Sequence, residues 1–367
     1  MQAVILVGGQ GTRLRPLTLT TPKPLVPLAN RPTLAHILRW LAAGGVEEVI
    51  LAMQYAAAAF EPFLRHWHGL PVRAIQEPVP LGTAGAVRNI RAQLHGPTVI
   101  VNGDNLTDLD LQALWQSHTA SGAQATIAVG EVADPSGCGV VVSDATGRVS
   151  CFQEKPAAGL ALANTINTGT YLIDPAVLDH LVQGEVAMWE TDLFPALIAA
   201  DVPVFAATLP HQWVDVGTPR GYFRGQAALL AGLLGTPPGT MLQAGQWAEA
   251  QVSLAADAIV TGPLTLGFGA IIAAGARLTG PLMLGRETHV FAGATITRSA
   301  LWDGCMIEHG ATISDSILGY NCYVGAGVQL QGALVGDGAV IQAGTTLPAG
   351  AIVAPGTVFN VATQPAG

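Results

Sequence analysis

Short apolar runs alternate with helical stretches through the first 230 residues of the chain. Between the first two runs, apolar residues recur at helical spacing until Gly44-Gly45 ends the helix. This alternation predicts an α/β fold with a Rossmann-like, mostly parallel, doubly wound sheet, whose ligands bind beyond the carboxyl ends of the strands. Four runs have the length and composition of buried parallel strands: Val4–Val7, Glu48–Ala52, Val72–Gln76 and Thr98–Asn102.

Beyond residue 250 the apolar positions recur every six residues, a period that fits neither a helix nor a simple sheet. It is typical of a β-helix in which three hexads close one coil and each short strand points one residue inward. Steps of five follow residues 302, 313 and 330. The predicted inward positions are Val260, Leu266, Ile272, Leu278, Leu284, Val290, Ile296, Trp302, Ile307, Ile313, Leu318, Val324, Leu330, Val335, Ile341, Leu347 and Val353.

Three ranges are therefore expected: an α/β domain over 1–232, a linker over 233–250 and the β-helix over 251–367. The linker is marked by its Gly, Pro and Thr residues. Stacked coils leave flat faces and open ends, which are commonly used for self-association. We therefore expect a homo-oligomer.

Composition narrows the range of partners. The 367 residues carry a formal net charge of −9 and no basic tail, which argues against nucleic acid or an acidic membrane surface as a partner. The four cysteines form no C-x-x-C pair, and we expect reduced thiols. The apolar start of the chain is too short for a signal peptide, and no stretch is long enough to span a bilayer, so we expect a cytoplasmic protein.

Lysine is scarce in this sequence, and its two occurrences share a context. Lys23 and Lys155 are the only lysines among 16 basic residues, and each precedes a proline. The ammonium group is a compact, strongly hydrated point charge that the planar guanidinium of arginine does not replace. We therefore expect both lysines to be functional.

A glycine-rich turn, Gly8-Gly9-Gln10-Gly11-Thr12, directly follows the first strand. Glycines in such a turn let backbone N–H groups approach phosphate oxygens and form an anion-binding nest. The turn is not a Walker A loop, which would end in Gly-Lys-Ser or Gly-Lys-Thr. Arg13, Arg15 and Lys23 follow it and form a basic cluster in an otherwise acidic chain.

The residues from Gly8 to Thr18, with Pro22-Lys23-Pro24, resemble the signature of the sugar-phosphate nucleotidyltransferases, in particular the mannose-1-phosphate guanylyltransferase branch. The C-terminal hexapeptide repeat, which forms a left-handed β-helix, is also common in that family. Further segments continue the resemblance in order: Gln76-Glu77 to Leu81-Gly82-Thr83-Ala84-Gly85-Ala86, Asn102-Gly103-Asp104, Glu154-Lys155-Pro156, Asn167-Thr168-Gly169 and Trp213-Val214-Asp215-Val216-Gly217-Thr218-Pro219.

The resemblance implies Mg²⁺-dependent joining of a nucleoside triphosphate to a sugar 1-phosphate, with release of pyrophosphate. Arg13 would hold the leaving phosphates, Lys23 the α-phosphate and Lys155 the sugar phosphate, and these are the predicted catalytic residues. Asp104 and Asp215 would bind Mg²⁺. The predicted nucleotide site is Leu6, Gly8, Gly9, Gly11, Thr12, Arg13, Glu77, Gly82, Thr83, Asn102 and Asp104, and the predicted sugar-phosphate site is Gly139, Glu154, Lys155, Asn167 and Thr168.

The resemblance implies that Gln76–Gly85 reads the base, and Glu77 lies where the family's thymidylyltransferases carry a glutamine, which favours GTP. Guanine presents two adjacent donors, N1–H and N2–H₂, which a carboxylate can accept together, whereas an amide suits thymine better. The backbone of residues 82–85 is an alternative reader of the base. Mannose 1-phosphate is the expected acceptor, and thymidylyl transfer to glucose 1-phosphate or guanylyl transfer to another sugar or cyclitol phosphate is the alternative.

The sequence leaves two other classes of function open. The β-helix of a bifunctional enzyme would also transfer acetyl groups, and His289 and His309 lie in the repeat, although no long inserted loop accompanies them. A regulatory homologue would have lost Arg13, Lys23, Asp104 or Asp215, and this chain retains all four.

Overall fold

A computed structural model describes residues 1–54 and 57–360. The elements before residue 232, in chain order, are β1 (Gln2–Leu6), β2 (Pro27–Leu28), β3 (Arg31–Pro32), α1 (Thr33–Ala43), β4 (Glu48–Met53), α2 (Ala57–His66), β5 (Val72–Gln76), α3 (Gly82–Asn89), β6 (Thr98–Asn102), β7 (Asn105–Thr107), α4 (Leu111–Ser121), β8 (Ala125–Glu131), β9 (Gly139–Ser143), β10 (Val149–Glu154), β11 (Thr165–Ile173), α5 (Phe194–Ala199), β12 (Val204–Thr208), β13 (Trp213–Asp215) and α6 (Pro219–Leu230).

Short strands of two to four residues follow. They are β14 (Thr240–Gln243), β15 (Gln246–Ala248), β16 (Ser253–Leu254), β17 (Ile259–Thr261), β18 (Leu264–Leu266), β19 (Ile271–Ile272), β20 (Arg277–Thr279), β21 (Leu282–Leu284), β22 (His289–Val290), β23 (Thr295–Thr297), β24 (Ala300–Leu301), β25 (Met306–Ile307), β26 (Thr312–Ser314), β27 (Ile317–Leu318), β28 (Tyr323–Val324), β29 (Gln329–Gln331), β30 (Leu334–Val335), β31 (Val340–Ile341), β32 (Ile352–Val353) and β33 (Val358–Phe359).

The chain packs into two compact units that do not follow chain order. The first unit contains Met1–Gly9 and Leu34–Val214, and the second contains Gln10–Thr33 and Asp215–Gly367. The second unit therefore combines the segment that follows the first glycines with the β-helix. The domain boundaries expected from the sequence, at 232 and 251, stay a prediction.

The first unit is built on a nine-stranded sheet. Its main path runs β10-β9-β11-β6-β1-β4-β5, and β8 pairs with β11 and β12. The four strands predicted from apolar runs are neighbours in it, as β6, β1, β4 and β5, and all pair in parallel. The predicted Rossmann-like architecture is thus confirmed. The half containing β8 to β11 is largely antiparallel, because short connections such as the one between β9 and β10 join successive strands.

An aromatic cluster fills the core behind the antiparallel half of the sheet. The rings of Tyr171 and Trp189 lie 5.2 Å apart, and Phe194 packs against both of them. All three side chains are fully buried. This packing fixes the short segment around Trp189 against β11.

The second unit contains the predicted β-helix, built of three sheets whose strands pair in parallel except β14, which is antiparallel to β15. Each sheet has an outer surface, which we name by the character of its outward side chains or, for the covered face, by the segment that packs on it. The covered face comprises β14, β15, β18, β21, β24, β27, β30 and β32; the apolar face comprises β16, β19, β22, β25, β28, β31 and β33; and the polar face comprises β17, β20, β23, β26 and β29. The interior is aliphatic, with Leu278, Ile296 and Ile313 fully buried.

The coils are 17 or 18 residues long, since Leu266 pairs with Leu284 and Leu284 with Leu301. Trp302 was predicted to point inward, but Leu301 occupies that position in the core. The step of five falls before Leu301, one corner earlier than expected, and both residues are apolar, so the pattern did not separate them. Trp302 is also buried, but its ring packs against Tyr320 outside the interior.

Part of the predicted linker is regular structure. β14 and β15 lie within residues 233–250, and β15 pairs in parallel with β18 as the first rung of the covered face. No helix within residues 1–54 and 57–360 is both long and apolar enough to cross a bilayer.

Candidate active site

In the first unit, two predicted nucleotide-binding segments leave neighbouring strands at the same edge. Leu6, the last residue of β1, is in register with Asn102, the last residue of β6. The N–H of Gly103 donates to the carbonyl of Leu6 over 2.9 Å. A Cβ at Gly103 would lie 2.7 Å from that oxygen, so only glycine allows this approach. The turn that carries Asp104 is thereby fixed beside the strand that leads to Gly8 and Gly9.

Glu77 closes the turn that leads into α3. Its side chain is buried, and its Oε2 accepts the N–H of Leu81 over 2.9 Å. Burial raises the pKa of the Glu77 carboxyl above its ordinary value, and the hydrogen bond from Leu81 partly opposes this. A carboxylate with one oxygen already engaged has only Oε1 left for the two donors of guanine. The geometry therefore favours a role for Glu77 in shaping the turn.

Gly82 and Thr83 begin α3 and contact the segment from Ala187 to Trp189. Gly82 has a left-handed backbone (φ +74°), and a Cβ there would lie 2.5 Å from the carbonyl of Ala187. The Oγ1 of Thr83 accepts the N–H of Trp189 over 3.3 Å. The predicted base-reading backbone is therefore held by the segment around Trp189.

The predicted sugar-phosphate residues Gly139, Glu154 and Lys155 lie together at the end of the β9–β10 hairpin. Gly139 is directly opposite Glu154 in the ladder. Lys155 has a positive φ of 44°, its N–H donates to the carbonyl of Cys138 over 3.0 Å, and its ammonium group pairs with the Glu154 carboxylate. The Lys155 side chain is 67% exposed, so its charge is accessible to an anion.

Asn167 and Thr168, the other predicted sugar-site residues, differ in where their side chains point. Asn167 is partly exposed, and its Oδ1 accepts the N–H of Gly169 over 2.8 Å. The Thr168 hydroxyl donates to the carbonyl of Ala128 over 2.9 Å, and the residue is 2% exposed. Thr168 therefore orders the bulge of β11, while Asn167 stays accessible.

Asn102 connects the two groups of residues in the first unit. A Cβ at Gly169, whose φ is +73°, would lie 2.6 Å from Asn102 Nδ2. The side-chain amide of Asn105 donates to the carbonyl of Thr168 over 2.8 Å. The turn that follows β6 thus packs directly on the Asn167–Gly169 turn.

Glu190 belongs to this cluster and was missed by the sequence analysis. Its Oε1 accepts the Tyr171 hydroxyl over 3.3 Å and lies 3.5 Å from Asn167 Nδ2. Burial raises the pKa of Glu190, the nearby Glu154 raises it further, and Lys155 opposes this. No motif marked Glu190, because its place depends on the π-helical turn Trp189–Leu193 and the aromatic core beneath it.

In the second unit, Gly11, Thr12, Arg13, Lys23 and Asp215 come together. Gly11 is left-handed (φ +62°), and its carbonyl accepts the Thr18 hydroxyl over 2.7 Å. Thr12 and Arg13 follow in a 3-10 turn, and Arg13 Nη2 lies 3.5 Å from Asp215 Oδ2. Arg13, a predicted phosphate-binding cation, is thus already paired with Asp215, a predicted metal ligand.

Lys23 is 9% exposed and directed at the turn after Asp215. A Cβ on Gly217 would overlap the Lys23 ammonium group and lie 2.8 Å from Asp215 Oδ1. The N–H of Gly217 also donates to that oxygen over 2.7 Å. Thr218 caps α6 by accepting the N–H of Gly221, and Pro219 is the first residue of the helix.

The metal ligands expected from the sequence are single carboxylates. Among the described residues, no group of three or more His, Cys, Asp or Glu side chains could hold a metal by itself. Asp104 is half-buried in a tight turn, and Asp215 is kept in place by Arg13 and Gly217. Carboxylates completed by phosphate oxygens and water suit Mg²⁺, which rarely has an all-protein cage.

The chain is similar to known proteins over most of its length. The family model described as nucleotidyl transferase matches residues 2–232, and a model described as the GMPPB C-terminal domain matches residues 260–364. The chain is 37% identical over 276 residues to a mannose-1-phosphate guanylyltransferase of Mycobacterium tuberculosis, with 74% of this chain and 76% of that protein covered.

Two further similarities come from a plant protein and a solved structure. The chain is 42% identical over 233 residues to a probable mannose-1-phosphate guanylyltransferase of Oryza sativa subsp. japonica, covering 61% of this chain and 63% of that protein. The crystal structure of HddC from Yersinia pseudotuberculosis complexed with GMP-PN matches with a TM-score of 0.53 and 25% identity, covering 61% of this chain and 97% of HddC. The match thus spans less than two thirds of the rice protein.

Proposed function

Because the chain belongs to the nucleotidyl transferase family, we propose that it transfers a guanylyl group from GTP to mannose 1-phosphate and releases pyrophosphate. The observation that carries the proposal is that Arg13, Lys23 and Asp215 gather on the second unit after a glycine turn. On the first unit, Lys155 stands exposed beside Glu154 and Gly139. These groups suit two phosphorylated substrates.

The proposed reaction is an in-line displacement at the α-phosphorus of the nucleotide. A sugar phosphate is already an anion at neutral pH, so the step needs positioning and charge neutralisation more than a general base. Lys155 would bind the attacking phosphate, Lys23 would stabilise the α-phosphate as charge develops, and Arg13 would hold the departing pyrophosphate. Lys23 is the most buried of these cations, which strengthens its electrostatic effect.

Asp104 and Asp215 are the proposed Mg²⁺ ligands. When bound, the ion would neutralise phosphate oxygens and orient the triphosphate. Asp215 would be shared between the ion and Arg13, whose guanidinium group would hold the pyrophosphate. The Gly217 N–H would keep the Asp215 carboxylate oriented.

The choice of GTP is supported by the relatives whose names include guanylyltransferase and by HddC, which was solved complexed with GMP-PN. We propose that backbone groups of residues 82–85 recognise the base. Glu77 fixes the Leu81–Gly82 turn that presents these groups. For the sugar, Glu154, Asn167 and Glu190 supply carboxylate and amide groups that can bind ring hydroxyls.

We also propose that the chain works in the cytoplasm as a homo-oligomer. All four cysteines lie in the described ranges and none forms a disulfide, which suits a reducing compartment. The apolar face provides a self-association surface. Its outward positions are Ser253, Ile271, His289, Met306, Tyr323, Val340 and Val358. None of these is Asp, Glu, Lys or Arg, so a two-fold contact between copies would bring no like charges together at these positions.

A substrate panel tests the proposed function. GTP, dTTP, UTP and ATP would each be combined with mannose 1-phosphate, glucose 1-phosphate and a heptose 1-phosphate, and pyrophosphate release would be measured. We expect the highest kcat/KM for GTP with mannose 1-phosphate. Lys155→Ala should raise the KM for the sugar phosphate more than that for the nucleotide. Equal or higher kcat/KM with dTTP and glucose 1-phosphate would contradict the substrate assignment.

A further inference from the structure

The segment that carries Arg13 and Lys23 has little regular structure of its own. Residues 10–33 contain three single 3-10 turns and the two-residue strands β2 and β3. A segment of this kind is ordered mainly by what it packs against, because its internal hydrogen bonds cannot offset the conformational entropy lost. Gln10–Thr33 belongs to the same compact unit as the β-helix.

The first contact between this segment and the β-helix is a buried hydrogen-bond chain. The indole N–H of Trp302 donates to the Tyr222 hydroxyl over 3.2 Å, and that hydroxyl donates to the carbonyl of Pro27 over 2.7 Å. Both aromatic side chains are fully buried. Pro27 lies four residues after Lys23, so these hydrogen bonds link a corner of the β-helix to the segment that carries the buried ammonium group.

The second contact lies on the covered face. Asn30, whose φ is 61°, donates through its side-chain amide to the carbonyl of Leu284 over 2.9 Å. Its backbone N–H is 3.2 Å from the sulfur of Met283. Met283 is an outward residue of β21 and yet is 0% exposed. The β2–β3 hairpin therefore covers the outward side of β21 on this face of the β-helix.

The third contact is made by Thr20, near the middle of the segment. Asp337, at a later corner of the β-helix, accepts the Thr20 hydroxyl at Oδ2 over 2.7 Å. Its Oδ1 accepts the N–H of Tyr320 over 2.9 Å, and the Tyr320 ring packs at 5.0 Å from that of Trp302. Thr20 lies between Arg13 and Lys23 in the chain, two residues after the Thr18 hydroxyl that binds Gly11.

We propose that Trp302 and Asp337 of the β-helix are positioning residues for the nucleotide-binding cations Arg13 and Lys23. They act through Tyr222 and Thr20 and touch no substrate themselves. This inference rests on the roles proposed above for Arg13 and Lys23. It gives the β-helix a part in binding the triphosphate, and none in recognising the sugar phosphate, whose proposed residues Glu154 and Lys155 belong to the first unit.

Two conservative substitutions test the proposal in the full-length enzyme. Thr20→Val removes the hydroxyl that Asp337 accepts, and Trp302→Phe removes the indole donor while keeping an aromatic ring. Loss of one such hydrogen bond corresponds to about a five-fold change in an equilibrium constant. We therefore expect each variant to raise the KM for the nucleotide about five-fold, and we expect the KM for the sugar phosphate to stay within about two-fold of wild type.

Matched controls separate positioning from general loss of structure. Thr20→Ser keeps the hydroxyl and should restore the wild-type KM for the nucleotide. Trp247→Phe removes an indole N–H of β15, on the covered face, that has no hydrogen-bond partner among the described residues, and it should leave both constants unchanged. Melting temperatures would be measured for every variant.

Arg13→Ala separates the proposed role of Arg13 in binding the nucleotide from the proposed positioning role of the β-helix. If Arg13→Ala keeps the wild-type KM for the nucleotide, the proposed role of Arg13 fails. If Arg13→Ala raises it but Thr20→Val and Trp302→Phe do not, the positioning role of the β-helix fails while the proposed function stands. A parallel rise in both Michaelis constants, or a rise in Trp247→Phe equal to that in Trp302→Phe, would also overturn the positioning role.

Discussion

Glu77 and Glu190 are buried carboxylates on the first unit, and burial raises the pKa of both. The sequence predicted a functional role for Glu77 but none for Glu190. Glu77 lies five residues before Gly82 in a recognisable motif, so its importance was evident, but its contact with Leu81 depends on local backbone geometry. Glu190 reaches Asn167 and Tyr171 from a distant turn, and no local pattern encodes such a contact.

Glu77→Gln separates turn formation from direct recognition of guanine. A glutamine Oε1 still accepts the Leu81 N–H, so we expect the preference for GTP over dTTP to persist, whereas Glu77→Ala removes the acceptor and should raise the KM for GTP about five-fold. Initial rates with both nucleotides would be compared for the two variants. A selective gain of dTTP turnover in Glu77→Gln would show instead that the charge reads the base.

The same substitution has a pH signature. A carboxyl whose pKa is raised on folding costs stability only when it is ionised, so its contribution to stability falls as pH rises from the ordinary Glu pKa through the raised value. Glu77→Gln removes this loss. We expect its melting temperature to equal or exceed that of wild type at pH 8, with the difference shrinking at pH 4.

At the scale of elements, the periodic patterns were reliable guides. The runs at Val72–Gln76 and Thr98–Asn102 match β5 and β6 residue for residue, since both are bounded by turn residues. The six-residue period predicted the β-helix because each coil must bury one aliphatic residue per strand. The pattern placed Trp302 inward instead of Leu301, because two adjacent apolar residues fit it equally well. It missed the strands within 233–250, because they are too short to show an alternation.

The three faces of the β-helix differ in ways that suggest one interface. The polar face presents Arg277, Thr295 and Thr312, and the covered face buries Met283 beneath the β2–β3 hairpin. The apolar face has seven strands and is therefore about 30 Å long. It leaves Ile271 42% and Met306 39% exposed. Exposed apolar surface of this extent commonly marks an interaction site.

Met306→Glu tests whether the apolar face joins two copies. In a two-fold contact the new carboxylates would be buried near each other, so we expect the oligomer to dissociate. Light scattering coupled to size-exclusion chromatography would report the mass. Thr312→Glu adds the same charge to the polar face and should leave the mass unchanged. An unchanged mass for Met306→Glu, or equal dissociation in both variants, would rule out this interface.

At the scale of the whole molecule, the compact units cut across the order of the chain. The glycine turn begins in the first unit at Gly8 and Gly9 and continues in the second at Gly11 and Arg13. The motifs predicted which residues matter, because each motif is local. They did not reveal that Arg13, Lys23 and Asp215 belong to the same compact unit as the β-helix, since that depends on long-range contacts such as those of Asn30 and Tyr222.

The proposed reaction transfers the guanylyl group of GTP, with its α-phosphate, to the sugar phosphate and releases pyrophosphate. To test it, the enzyme would be supplied with mannose 1-phosphate, Mg²⁺ and GTP labelled with ³²P at either the α or the γ position. We expect the α label to appear in the nucleotide sugar and the γ label in pyrophosphate. Transfer of the γ label to the sugar, or its release as inorganic phosphate without a nucleotide-sugar product, would contradict it.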